Sequence, residues 1–438
     1  MEDSKIRDKV EKIYKVIEEN LYVCEPDERF GNTNPTLLFS ILTCLVNGKE
    51  LIFGNVGMGK TTSAEAIISL MYGIPLEVIL SSEAHGDPEV TKEEYIAQPD
   101  LSNMENVIWR RFAQLPPKIF DEFNRLPNSK QNLFFDSIDR GNFEYMNKTL
   151  FSKPGPFFAT CNYADRGNTE LNWPIKDRFD IAVVARAPNP LLRRLIAYRK
   201  VDENLIKDEE VSKDMLAILD GKEEYDKKIE QLYEHAEKFK NKLKEIYPDL
   251  ELLGREELIY ANKEILKIPF SKEAELFLTF IYADFQCPYC EEKIPGEREK
   301  CSESCHYSNT EYAFSKVTRG LSVRFDKSLR KYAQAIAWYF GDEEVEPSHI
   351  EIVLPYVLWH RMEFTEEYKA KHRSNVRGEL LNLYLSKQLI NEISKRFNEQ
   401  EAIVANGFNR YLNKEPIKET TDHPIFIYLA NMNNYRGS

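Results

Sequence analysis

The stretch Gly54-Asn55-Val56-Gly57-Met58-Gly59-Lys60-Thr61 satisfies the pattern G-x-x-x-x-G-K-[ST]. Such a loop works at one place in a fold, after a strand and ahead of a helix, where backbone N–H groups and a helix N-terminus point at phosphates. Both neighbours are present. Leu51-Ile52-Phe53 reads as a buried strand, and Ser63 to Tyr72 has helical apolar spacing. The glycines let the backbone close around a ligand, and Lys60 is the charge for the β and γ phosphates. Thr61, followed by Thr62, offers a hydroxyl to Mg²⁺. The motif in this context predicts a nucleoside-triphosphatase.

Further short apolar runs at Glu77 to Leu80, Lys118 to Phe120, Phe157 to Thr160 and Ile181 to Val184 alternate with helical patterns. Strands separated by helices predict βαβ units and an α/β fold on a parallel sheet. The run from Lys118 ends in Asp121-Glu122. Asp121 is expected to bind Mg²⁺ through water and Glu122 to polarise the attacking water. The run from Phe157 ends in Cys161-Asn162, which puts an amide beside the carboxylates if the two strands are neighbours. Asn162 would then orient the water or sense the γ-phosphate; otherwise it is an ordinary strand-end residue. Asp177-Arg178-Phe179-Asp180 follows. The Arg178 guanidinium suits the phosphate of a neighbouring subunit, matching charge that spreads over the γ-oxygens, or else an ion pair with Asp177 or Asp180 in its own chain.

The remaining segments are mostly helical in pattern. Val10, Ile13, Ile17 and Leu21 mark an amphipathic N-terminal helix, and Pro35 to Val46 an apolar one opened by proline. The layout expected is N-terminal helices packing on the core over 1–49, the α/β nucleotide-binding core over 50–190, and a Lys/Glu-rich helical insert over 191–254. Its helical apolar spacing at Ile229, Leu232, Ala236 and Phe239 predicts helices that project from the lobe into solvent, read as a charged surface helix in preference to a dedicated partner-binding arm. A helical lid over 255–362 and a helical tail over 363–438, with one good helix from Glu379 to Phe397, complete the layout. A net charge of -13 excludes non-specific polyanion binding as a property of the whole surface, so nucleic acid is not an expected partner. The first residues lack the apolar core of a secretory signal, and no window reaches the roughly 18 apolar residues of a membrane span, so a cytoplasmic protein is expected. Cys287-x-x-Cys290 and Cys301-x-x-x-Cys305, with adjoining His306, have the short ligand spacing of a structural Zn²⁺ site. Either Cys305 or His306 can be the fourth ligand, and free thiols or disulfides are the competing readings. Cys24, Cys44 and Cys161 read as ordinary buried thiols, and His349 and His360 as satisfied core or surface histidines.

With these elements in order, the chain resembles the MoxR family of AAA+ ATPases. The matching stretches are GNVGMGKTT (54–62), IFDEFNRLPNSKQNLFFDSIDRGNFEY (119–145), FFATCNYADRGNTELNWPIKDRFD (157–180), GLSVR (320–324) and LPYVLWHRM (354–362). The resemblance implies a P-loop AAA+ core with a C-terminal helical lid. In it, Lys60 and Thr61 take Walker A roles, Asp121 and Glu122 Walker B roles, Asn162 that of sensor 1, Arg178 that of an arginine finger and Arg324 that of sensor 2. It also implies ATP hydrolysis in a homo-hexameric ring, with insertion hairpins at Ser82 to Asn106 and Asn142 to Pro156 facing the pore. Chaperone-like remodelling of protein clients follows, often with a partner carrying a von Willebrand factor A domain. Val56 and Tyr163 stand where many relatives have proline. The tract Asn162 to Arg166 is also similar to the GTP-using McrB branch, which keeps a nucleic-acid-linked NTPase as an alternative. A third reading, a nucleotide-gated scaffold, fits poorly with retention of both Glu122 and Arg178.

Overall fold

The apolar runs around the phosphate-binding motif assemble, in the computed structural model, into a parallel sheet. The structure describes residues 2–22, 24–103, 105–163, 169–198, 203–288, 311–376 and 379–435. The chain divides into two units, Met1–Lys267 and Ile268–Ser438. The strands of the first are β1 (Lys49–Gly54), β2 (Ala84–His85), β3 (Ala97–Pro99), β4 (Val107–Trp109), β5 (Lys118–Asp121), β6 (Asn142–Tyr145), β7 (Lys148–Phe151), β8 (Phe157–Asn162) and β9 (Ile181–Val184). Five of them form one sheet in the order β2-β5-β8-β1-β9, while β3-β4 and β6-β7 form separate two-stranded sheets. All pairings in the large sheet are parallel. Strands β8 and β9 are buried along their whole length, as expected of near-continuous apolar runs covered on both faces. The register sets Gly54 beside Asn162, so the loop after β1 opens at the carboxyl end of the strands, next to β8.

The helices of this unit are α1 (Glu2–Asn20), α2 (Pro35–Leu45), α3 (Lys60–Tyr72), α4 (Leu76–Leu80), α5 (Arg111–Gln114), α6 (Pro190–Tyr198), α7 (Glu209–Asp220), α8 (Tyr225–Ile246) and α9 (Arg255–Ile265). Helix α1 buries Ile6, Val10, Ile13 and Ile17, the stripe its spacing predicts. Helix α2 starts where Asn34 accepts from Leu37 N and proline occupies the first turn, and it is buried from Thr36 to Leu45. One expected strand is corrected. Glu77 to Leu80 lies in α4, and the second strand is Ala84–His85. A four-residue apolar run does not distinguish strand from helix, and Pro75 capping a turn that buries Leu76, Val78 and Ile79 decides for helix.

The Lys/Glu-rich insert does not project into solvent as expected. Helix α8 turns Ile229, Leu232, Ala236, Phe239 and Leu243 inward. With Met215 of α7 it lines an apolar pocket whose other wall is Tyr72, Ile74 and Leu115. Its charges occupy the outer face of an ordinary amphipathic helix.

The second unit is helical among its described residues: α10 (Lys272–Phe285), α11 (Val323–Phe340), α12 (Pro347–Leu358), α13 (Leu381–Leu412) and α14 (Ile425–Tyr435), with shorter turns between. The tail is more ordered than its pattern suggests, because α13 runs past Phe397 to Leu412. Beyond Phe397 only Val404 and Gly407 are buried, and a Cβ on Gly407 would come within 2.9 Å of Phe426. That close crossing replaces the missing apolar stripe. Asp284 at the end of α10 is fully buried and accepts from Arg396, from Ala313 N and from His423. His349 is a satisfied core histidine, bonded to Glu346 N and Asp342. No helix among the described residues is long and apolar enough to cross a membrane.

Candidate nucleotide-hydrolysis site

Strand β1 ends at Gly54, where a Cβ would stand 2.8 Å from the Ala185 carbonyl, so only glycine fits. Gly57 (φ +77) and Gly59 (φ +72) then take the left-handed conformation that glycine adopts freely, and α3 begins at Lys60. The Lys60 ammonium is buried and donates to Gly54 O at 3.1 Å, Asn55 O at 2.8 Å and Asn162 Oδ1 at 2.8 Å. Burial pulls its pKa down, opposed by the charges of Asp121, Cys161 and Glu122.

Asp121, the last residue of β5, faces the loop. The Thr61 and Thr160 hydroxyls each donate to its Oδ1 at 2.6 Å, and His85 Nδ1 lies 3.7 Å from Oδ2. Burial alone would raise its pKa, but hydrogen bonds from His85, Thr160 and Thr61 and the His85 charge outweigh it and hold the group at about 2. Next to it Glu122 has φ 50, a left-handed backbone unusual for this residue type. The backbone there is fixed from both sides: Glu122 N donates to Thr160 Oγ1 at 2.9 Å, and Arg125 N to Glu122 O at 2.8 Å. Gly86 packs so closely that a Cβ would fall 2.0 Å from Glu122 O. The turn sends the Glu122 carboxylate to Asn162, whose Nδ2 donates to Oε1 at 2.8 Å, while Arg125 Nε pairs with Oε2 at 3.0 Å.

Strands β5 and β8 are therefore neighbours, as the role of Asn162 requires. Its side chain spans two charged groups, accepting from Lys60 and donating to Glu122. Its backbone is gripped by Asn124, which donates to Asn162 O at 2.8 Å and accepts from Asn162 N at 3.2 Å. Thr160, Asn124, Arg125 and His85 were not foreseen. Asn124 and Arg125 stand in the DEFNR stretch, whereas His85 sits on a two-residue strand with no apolar run to announce it. Thr61 and Asp121 offer a hydroxyl and an ionised carboxylate within hydrogen-bond distance of each other, a hard-oxygen pair that fits Mg²⁺, which keeps much of its water.

Two expected residues lie elsewhere. Arg178 Nε pairs with Asp139 Oδ2 at 2.9 Å, its Nη1 donates to Pro174 O at 2.8 Å, and its guanidinium lies 3.9 Å over the Phe135 ring. Arg178 thus pairs with Asp139, while Asp180 accepts from Lys49 N. Arg324 is an exposed residue in the first turn of α11, in the second unit. Of the cysteine cluster, Cys287 is buried against Tyr312 and Phe314, whereas Cys290, Cys301, Cys305 and His306 lie outside the described residues. Among the described residues no group of three or more His, Cys, Asp or Glu is arranged to hold a metal ion. Cys24, Cys44 and Cys161 are buried free thiols, as expected.

Comparison with known proteins adds two findings. Residues 316–379, which include all of α11 and α12, match the AAA lid domain. The whole chain is similar to the crystal structure of a putative ATPase from Cytophaga hutchinsonii, with a TM-score of 0.58 and 15% identity over 90% of this chain and 96% of that one. The chain has an AAA+ ATPase fold. No curated protein matches it significantly in sequence. In AAA+ terms α11 and α12 are lid helices, and β1, β5 and β8 carry the P-loop, the acidic pair and the polar residue beside it.

Proposed function

We propose that this AAA+ chain is a MoxR-like ATPase that hydrolyses ATP with Mg²⁺ in a homo-hexameric ring and uses the energy to remodel client proteins. The observation that carries the reading is the chain of contacts Lys60–Asn162–Glu122, which joins the phosphate-binding lysine, the proposed sensor and the proposed base. With nucleotide bound, the Lys60 ammonium would exchange the Gly54 and Asn55 carbonyls for β and γ phosphate oxygens. Glu122 accepts the proton of the attacking water, and Asn162 holds that carboxylate while reading the displacement of Lys60. Thr61 and Asp121 would hold Mg²⁺, which would supply charge neutralisation for the phosphates.

Arg178 is assigned to the γ-phosphate of the adjacent subunit, and Arg324 to a lid contact with nucleotide. The β3-β4 and β6-β7 hairpins are assigned to the pore. Each tip exposes an apolar side chain, Leu101 at 89% and Met146 at 51%, as suits contact with an unfolded client. A von Willebrand factor A domain protein is the proposed partner, a structural Zn²⁺ on the cysteine cluster the proposed staple of the lid, and the cytoplasm the proposed location. The test is Glu122→Gln in the full chain, which keeps the Asn162 contact but removes the base. With ATP it should turn over at least 100-fold more slowly and elute as a ring that retains nucleotide. Wild-type turnover in the variant, or a wild-type monomer that hydrolyses ATP at full rate, would sink the proposal.

A further inference from the structure

The Lys/Glu-rich insert has no place in the chemistry just described, yet its buried polar side chains converge on the roots of both hairpins. The β6-β7 hairpin closes where Ser152 N donates to Gly141 O. At that point the Tyr225 hydroxyl of α8 accepts from Lys153 N at 3.0 Å and lies 3.4 Å from Ser152 Oγ. The same hydroxyl donates to Gln114 O at 3.0 Å. Gln114 ends α5, the short helix that follows the β3-β4 hairpin, and its side chain donates to Trp109 O, the last carbonyl of β4, at 2.8 Å. Gln114 is tied back to the insert as well. Lys228 of α8 donates to Gln114 Oε1 at 2.8 Å and to Leu219 O of α7 at 2.7 Å, and Arg111 of α5 pairs with Asp220 of α7 at 2.8 Å. On the sheet side Lys118, the first residue of β5, donates to Ser152 Oγ at 2.8 Å. Three residues further along β5 stands Asp121.

We infer that α7 and α8 form a strut that fixes the two hairpin roots to each other and to the strand carrying Asp121, with Tyr225 as its joint. The hydroxyl of Tyr225 bonds Lys153 N at the β6-β7 root and Gln114 O in the helix that anchors the β3-β4 root. Gln114 and Lys228 are buried, so an interruption there leaves polar groups without water to replace the lost partner. The hairpins also meet where Lys148 Nζ donates to Asn106 Oδ1, and the Tyr145 hydroxyl donates to Glu93 Oε1 in the helical turn before β3. Those contacts are exposed and give little rigidity by themselves. Coupling between a nucleotide site and a client-binding hairpin needs a rigid element with two positions, and the strut makes the two hairpins one such element. The inference rests on the proposed assignment of the hairpins to the client, but the strut exists or fails without it.

Tyr225→Phe removes the hydroxyl and keeps the ring. In hydrogen–deuterium exchange on the full chain without nucleotide, amides of 97–109 and 142–151 should exchange about tenfold faster together, while β1 and β8 keep their protection. Basal ATP hydrolysis should be unchanged, since Tyr225 touches none of the catalytic groups. Lys228→Met, which cuts the Gln114 side alone, should loosen 97–109 more than 142–151. Wild-type exchange at both hairpins in Tyr225→Phe, or loosening confined to 142–151, overturns the strut, and so does the reverse ranking in Lys228→Met. Absence of ATP hydrolysis in the wild type would overturn the proposed function and leave the exchange result standing.

Discussion

Glu50 sits in the middle of β1 with no exposed surface, and a charged carboxylate in that position would be costly. Burial pushes its carboxyl up to about 8, although hydrogen bonds from Ser40 and Thr43 pull the other way. The bonding pattern supports a proton on Glu50. Ser40 Oγ lies 2.9 Å from Thr36 O and 2.7 Å from Glu50 Oε1, and a hydroxyl has one proton to give. If it goes to Thr36, Glu50 must donate to Ser40. Thr43 then donates to the other oxygen at 2.8 Å. Glu50→Gln reproduces this arrangement, with the amide N–H facing Ser40 and the amide oxygen accepting from Thr43. Because the folded pKa is raised above the ordinary glutamate value of 4.5, the group's contribution is fully present below that value and is lost as pH rises towards about 8. At 1.36 kcal/mol per unit, the wild type should lose up to about 3 kcal/mol relative to the glutamine variant between about pH 5 and pH 7.5. Urea unfolding of both proteins at the two pH values measures the gap, and groups that titrate in both cancel. Stability curves that stay parallel across pH would refute the reasoning. So would a glutamine variant that is the weaker protein at the higher pH.

The shared-site assignment of Arg178 predicts complementation. Arg178→Ala and Glu122→Gln chains, each inactive alone, should recover about a quarter of wild-type turnover when mixed equally, because that share of random interfaces pairs an intact Glu122 with an intact Arg178. No recovery means that Arg178 acts within its own chain, where Asp139 already holds it. The cysteine spacing predicts about one equivalent of Zn²⁺ per purified chain, and chelation should lower the melting temperature of the second unit more than that of the first. Metal analysis that finds no zinc removes the claim.

Motif context and apolar runs made the nucleotide site legible because P-loop chemistry demands a particular backbone, and that backbone demands particular residues. Gly54 is glycine for want of space and Gly57 and Gly59 for their positive φ, so together they mark the loop. Asp121 and Asn162 could be placed because each ends a buried strand that reads as an uninterrupted apolar run. The second strand could not, since Ala84 and His85 are too few to make a pattern and the apolar run before them is spent on α4. The insert was legible in part. The spacing of Ile229, Leu232, Ala236 and Phe239 marks its helix, but nothing local records that this stripe packs against Tyr72 and Leu115 instead of projecting. Arg178 shows a third limit. Its partner Asp139 is 39 positions away in sequence, on another helical turn, so no local pattern could point to it.

Thr160 explains how two adjacent acids are kept to different tasks. Asp121 continues the strand and turns its carboxylate to Thr61, whereas the left-handed backbone at Glu122 swings the next carboxylate to Asn162. A left-handed glutamate is unfavourable by about 1–2 kcal/mol, so the surroundings must hold it. One fully buried hydroxyl does so from both sides, donating to Asp121 Oδ1 and accepting from Glu122 N. Thr160→Val keeps the shape but leaves a buried N–H without its acceptor and a carboxylate short of one donor. The expected loss is about 2 kcal/mol of stability, since one unsatisfied buried group is worth roughly 1–3 kcal/mol. Hydrolysis should fall further than stability explains, because Glu122 is then free to leave Asn162. If the reading is right, Thr160→Ser, which restores the hydroxyl, returns most of the turnover. A valine variant with wild-type rate would mean that the left-handed turn is held by Gly86 and Arg125 alone, and that the hydroxyl only fills space.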